Sequence, residues 1–260
     1  MNETAMKDSE KLKALGFDMT PKMPSNNWRG QKFILAGPPK SGKTDMLSEA
    51  GEAAWFVRCA KEHGHVKTFG VDCTDFYEVE KVVDKLYQAK NAGCFPWETL
   101  VIDPALRVLD YISESVIDRG REKFKSSEIT DLGDIGKGTG YYMYKQALKG
   151  FLKRLEGLPC AVFLVFQIHT EERNKPGSKK ETYKRDIVNI SEKLGGPIRE
   201  WADHILQVRQ TYVGDINVRK VVTQGNMTVE AGTRNKKMPV ELKWTSDSKR
   251  NYDELRAQFD

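Results

Sequence analysis

Short apolar runs recur along this chain, each followed by a stretch of helical period or a polar turn. Residues 32–36 (KFILA) are the first run, stopped by Gly37, and helical composition resumes at Thr44. AWFVR at 54–58 and VKTFGV at 66–71 predict a second and a third strand. From 75 to 92, Phe76, Val79, Val82, Val83, Leu86 and Tyr87 recur at spacings of 3, 4 and 7, the stripe of an amphipathic helix. Asp75 suits its N-cap and Gly93 its stop. TLVID at 99–103 predicts a further strand, 105–119 a helix, 141–155 another, and CAVFLVF at 160–166 the most apolar strand. Between those helices, 126–140 is polar and glycine-rich.

The apolar runs do not alternate with polar residues, as expected of strands buried on both faces. Strands interleaved with helices predict an α/β fold, a mostly parallel sheet with helices on both sides. After residue 200 the pattern changes. HILQVRQTYVGDINVRKVVTQG (204–225) and PVELKW (239–244) alternate, which predicts antiparallel hairpins at one edge. Residues 1–28 read as a polar tail with helical turns around 7–15, residues 29–245 as the core, and 246–260 as a tail or short helix.

Composition adds boundaries. The 260 residues are 39% hydrophobic and 30% charged, with net charge +5, too small to demand a polyanionic partner by itself. Cys59, Cys73, Cys94 and Cys160 lie far apart without a CxxC, which favours free thiols over a disulfide framework or zinc site. No apolar run approaches a membrane span, and the polar N-terminus is unlike a secretory signal, so a cytoplasmic protein without a membrane partner is expected.

Gly37-Pro38-Pro39-Lys40-Ser41-Gly42-Lys43-Thr44 matches GxxxxGK(S/T), between a strand and a helix. Its glycines let successive amides curl around an anion. Lys43 is expected to reach the β- and γ-phosphates of ATP, and the Thr44 hydroxyl to bind Mg²⁺. Asp103, closing TLVID, suits the second metal-side position. Pro104 follows it, so a base cannot stand directly after the aspartate. Glu62 is the candidate for polarising the attacking water, with Asp72 as the alternative. Gln167, at the end of CAVFLVF, is placed to sense the γ-phosphate.

Beyond Gln167, residues 173–185 hold Arg173, Lys175, Lys179, Lys180, Lys184 and Arg185 against one acid, Glu181. Pro176, Gly177 and Ser178 argue against helix or strand there. A basic irregular loop can neutralise nucleic-acid phosphates, and Tyr183 can stack on a base. Arg234 and Lys236, in a turn between edge strands, are candidates to supply charge to a neighbouring subunit's nucleotide.

The order of these parts resembles the RecA/RadA-like P-loop ATPases, in particular the compact phage proteins of AAA or ATP-dependent single-strand annealing type. The resemblance spans roughly residues 30–245 and is specific at the P-loop. It implies a RecA-like core that hydrolyses ATP with Mg²⁺, associates with single-stranded DNA, and promotes recombination or annealing in a host cytoplasm. It also implies Glu62 as the catalytic glutamate and Gln167 as the link from γ-phosphate to a DNA loop at 171–197, and it leaves a homo-oligomeric ring or filament open, since no oligomerisation segment is evident near the N-terminus. A single-strand-binding protein is a further partner it implies. A nucleotide kinase, or a motor or packaging-type ATPase, stays open on the residues alone.

Overall fold

The computed structural model describes residues 27–60, 66–178, 180–213 and 216–259. The helical turns expected at 7–15, the candidate base Glu62, and Lys179 lie outside the described residues.

Among the described residues ten strands form one sheet: β1 (Lys32–Gly37), β2 (Ala54–Arg58), β3 (Gly70–Asp72), β4 (Thr99–Asp103), β5 (Ala161–Asn174), β6 (Thr182–Val188), β7 (His204–Val213), β8 (Ile216–Val222), β9 (Gly232–Thr233) and β10 (Glu241–Trp244). Their order is β10-β8-β7-β1-β5-β4-β2-β3, with β6 paired to β5 and β9 to β7. From β3 to β7 the neighbours run parallel; β8 and β10 continue the sheet antiparallel. The expected α/β class, with a mostly parallel sheet and antiparallel edge, is therefore the observed one.

Alternate side chains of each central strand enter different cores, because successive residues of a strand point to opposite faces. Ile34, Ala36, Val57, Leu100, Ile102, Val162, Leu164 and Phe166 face one core. It is covered by α2 (Phe76–Asn91), α3 (Ala105–Phe124), α4 (Thr139–Glu156) and α5 (Glu192–Trp201). Phe33, Leu35, Phe56, Val101, Phe163 and Val165 face the other, which Trp28 closes with α1 (Lys43–Ser48) and α6 (Ser248–Arg256). Phe33 and Phe163 stack there at 4.3 Å between ring centroids. The 246–260 segment contributes Tyr252, Leu255 and Phe259 to this core. Glu98 accepts from Arg29 (3.0 Å) and Arg256 (2.6 Å), tying both ends of the core together.

Two segments differ from the sequence expectation. The third strand is only Gly70–Asp72, with Gly70 against the Phe56 backbone where a Cβ would stand 2.1 Å from the Phe56 carbonyl oxygen. The basic segment is not irregular. β5 continues past Phe166 to Asn174 and pairs antiparallel with β6, from Ile168↔Val188 to Asn174↔Thr182, and α5 follows. Pro176 and Gly177 (φ +81°) occupy the turn, where they interrupt no ladder bond.

Candidate nucleotide site

The site is built at the carboxyl ends of β1 and β4, with β5 between them. Gly37 ends β1 beneath β7, and a Cβ here would come within 2.8 Å of the Val208 Cβ, so only glycine fits. Gly42 adopts φ +84° and caps α1 without a side-chain hydrogen bond. That left-handed step is accessible to glycine at little cost, and it leaves the first amides of α1 for an anion rather than for a side-chain cap.

Lys43 is buried, with its ammonium turned into the loop. Nζ donates to the carbonyl oxygens of Gly37 (3.1 Å) and Pro38 (2.8 Å) and to Ser41 Oγ (3.3 Å). Burial pulls its pKa down to about 8, against the attraction of Asp103, which raises it. An anion held in the loop would offset that desolvation.

Next to it, the Thr44 hydroxyl donates to Asp103 Oδ2 at 2.6 Å. This one bond joins the P-loop helix to the end of β4, across the strand between them. Asp103 is 6% exposed, and the Asp103–Pro104 peptide is cis. Thr44 and Asp103 offer hard oxygen donors, few in number, and a P-loop brings phosphate oxygens beside them. That set suits Mg²⁺, which usually takes one or two protein oxygens and completes its shell with water and phosphate. Bound there, Mg²⁺ would neutralise charge on the phosphates.

Gln167 is in register with Gly37, directly beside the P-loop, and its side chain is exposed. Its backbone carbonyl accepts from Asn189 N (2.9 Å). Glu62 lies outside the described residues, but the chain leading to it is anchored at this site. Cys59 N donates to Asp103 O (3.2 Å), and the Tyr111 hydroxyl lies 3.1 and 3.2 Å from the carbonyl oxygens of Cys59 and Cys73. Sequence reasoning missed Tyr111, because only the fold brings α3 against the ends of β2 and β3. Burial first, then Cys73 and Asp103, pushes the Cys59 thiol up to about 12, so it is no nucleophile at neutral pH. Asp72 points outward and pairs with Arg58 Nε at 2.5 Å.

Arg234 and Lys236 do not join this site within the chain. Thr233 pairs with His204, which is in register with Phe33 at the start of β1. Arg234 itself bonds Asp203 Oδ1 (2.7 Å), at the opposite end of the sheet from the P-loop.

The hairpin sorts the basic residues by face. Arg173 is held by Glu171 and by Glu192 of α5 (2.9 Å), and Arg185 stands opposite Glu171 with a buried Nε that finds no hydrogen-bond partner among the described residues. Lys184 is exposed on the other face; Lys175, paired with Glu181 at 2.8 Å, and Lys180 are at the turn.

The sequence model of a family described as an AAA domain matches residues 29–235. Among solved structures, a KaiC-like protein from the hyperthermophilic archaeon Pyrococcus horikoshii OT3 is similar. It is 13% identical, with a TM-score of 0.46, over 85% of this chain and 88% of that one. No curated protein matches the chain.

Proposed function

The chain belongs to the AAA domain family, and from that premise we propose that it hydrolyses ATP with Mg²⁺ and couples the cycle to single-stranded DNA. The observation that carries the nucleotide half is the Thr44–Asp103 bond beside the buried Lys43. An ammonium, a hydroxyl and a carboxylate converge where a P-loop would bind a triphosphate and its metal. In this reading Lys43 neutralises the phosphates, Thr44 and Asp103 hold the metal, and Glu62 orients the water.

The DNA half rests on the continuity of β5. One strand lines the nucleotide site at Gln167 and then becomes the arm that carries Arg173, Lys175, Lys180, Tyr183, Lys184 and Arg185. Contacts of Gln167 with the γ-phosphate would bear directly on the hairpin. Recombination or annealing is the role this suits, in a ring or filament where Arg234 and Lys236 face a neighbour's nucleotide.

The test is the ATPase rate with and without single-stranded DNA. Stimulation by DNA supports the proposal; phosphoryl transfer to a nucleoside monophosphate without DNA stimulation overturns it in favour of a kinase. Neutralising Lys175, Lys180 and Lys184 to glutamine should also flatten the salt dependence of DNA binding. The log–log slope should fall by roughly 0.7 for each phosphate that is no longer neutralised. An unchanged slope removes the hairpin from the DNA interface.

A further inference from the structure

The geometry points to a second binding surface, at the end of the sheet opposite the P-loop, that docks an acidic peptide segment bearing one apolar side chain. A groove of about 460 Å³ opens there between the start of β1, the last turns of α4, and α5. Leu152, Pro197 and Trp201 give it an apolar wall, and Lys32, Lys149, Lys153 and Arg234 surround that wall.

One feature sets this groove apart from an ordinary charged face. Lys145, Lys149 and Lys153 are exposed at i, i+4 and i+8 along α4, a line of like charges that disfavours the helix. Among the described residues none of the three forms an ion pair, whereas Arg154 on the same helix is held by Glu80 and Asp84. Trp201 is 9% exposed and backs the wall of the groove.

The occupant must therefore bring carboxylates for Lys149 and Lys153 and apolar surface for Leu152 and Pro197. Lys32 is already held by Glu156 (3.5 Å) and Asp203 (3.3 Å), and Glu156 and Glu200 line the groove, so it must bring hydrogen-bond donors as well. A peptide supplies all three, since its amides donate. A nucleic-acid backbone offers neither an apolar side chain nor amide donors for the glutamates. The groove is distant from Lys43 and Asp103 of the same chain; it shares Arg234 with the face proposed to meet a neighbouring subunit, so a peptide there would compete with assembly rather than with nucleotide in the same chain.

The experiment uses the full chain and a fluorescein-labelled peptide of aspartate and glutamate with one central phenylalanine, read by fluorescence anisotropy. Saturable binding is expected, weakened roughly tenfold by Lys149→Glu with Lys153→Glu, and weakened again when serine replaces the phenylalanine. If the double reversal unfolds the chain by circular dichroism, the Lys149→Gln, Lys153→Gln variant carries the same test. Absence of saturable binding, unchanged affinity in the charge variant, or equal affinity for the serine peptide overturns the proposal. So does loss of oligothymidylate binding in the variant without any peptide binding, which would make this a nucleic-acid surface. None of these readouts depends on ATP turnover.

Discussion

Replacing Lys43 with methionine is expected to abolish nucleotide turnover and to remove a pH-dependent cost from the nucleotide-free protein. The two effects have one cause. At neutral pH the ammonium is charged in a buried position that favours the neutral form, with a pKa of about 8 against an ordinary 10.5. Holding that charge costs about 3 kcal/mol. Methionine removes the cost but forfeits three bonds, to Gly37, Pro38 and Ser41, each worth about 1 kcal/mol. The two nearly cancel, so the two proteins should melt within a few degrees of each other at pH 7. The balance shifts with alkali. Between pH 8 and 10.5 the unfolded lysine binds more protons than the folded one, so the wild type gains about 3 kcal/mol relative to methionine. Thermal unfolding at pH 7 and at pH 10 measures the difference. An equal stability difference at the two pH values would contradict this account of the site.

The second large effect is acid destabilisation through His204. This ring is 1% exposed, with Nδ1 at 2.8 Å from Thr233 Oγ1 and Nε2 at 2.9 Å from Gln31 Oε1. Phe33 stacks on it at 4.8 Å and Phe259 meets it edge-on at 5.0 Å. Burial lowers its pKa to about 4 from 6.5; Asp203 opposes that, and Arg234 and Lys32 reinforce it. The folded state thus keeps the ring neutral where the unfolded chain protonates. Stability is full above pH 6.5 and falls progressively down to about pH 4, by about 3 kcal/mol from this group. Carboxylates titrate in the same window, so the measurement is a difference. Wild type should lose about 3 kcal/mol more than His204→Gln between pH 7 and pH 4 in denaturant unfolding. Equal losses would remove His204 as the cause.

The nucleotide site was legible at the P-loop because each fixed position has a local physical task. Gly37 must tolerate β7 overhead, Gly42 must adopt a positive φ, and Lys43 and Thr44 must open a helix. The apolar runs of β1, β4 and the first half of β5 were legible for the same kind of reason, being buried on both faces without polar interruption. The second half of β5 was not. Outside the core a two-stranded ribbon has solvent on one side and polar α5 contacts on the other, so it carries no hydrophobic period to read. Pro176 and Gly177 then suggested an irregular loop where they mark a turn. The role of Tyr111 was hidden because it joins carbonyls 52 and 38 residues away in the chain. Where Arg234 sits was hidden too: a basic turn has the same composition at either end of a sheet, and only the pairing of Thr233 with His204 places it.

The length of β5 has a mechanical consequence. Seven residues separate Gln167 from Asn174 along one continuous strand, a reach of about 23 Å at the usual rise. The strand has no break at Gln167, and β6 stiffens it from Ile168 onward. A tilt of about 10° about Gln167 would then sweep the tip through about 4 Å over that reach. Were the proposed γ-phosphate contact to tilt the strand, displacements too small to disturb the packing around the P-loop would be multiplied at the far end, with the hairpin as a lever and its fulcrum beside Gly37.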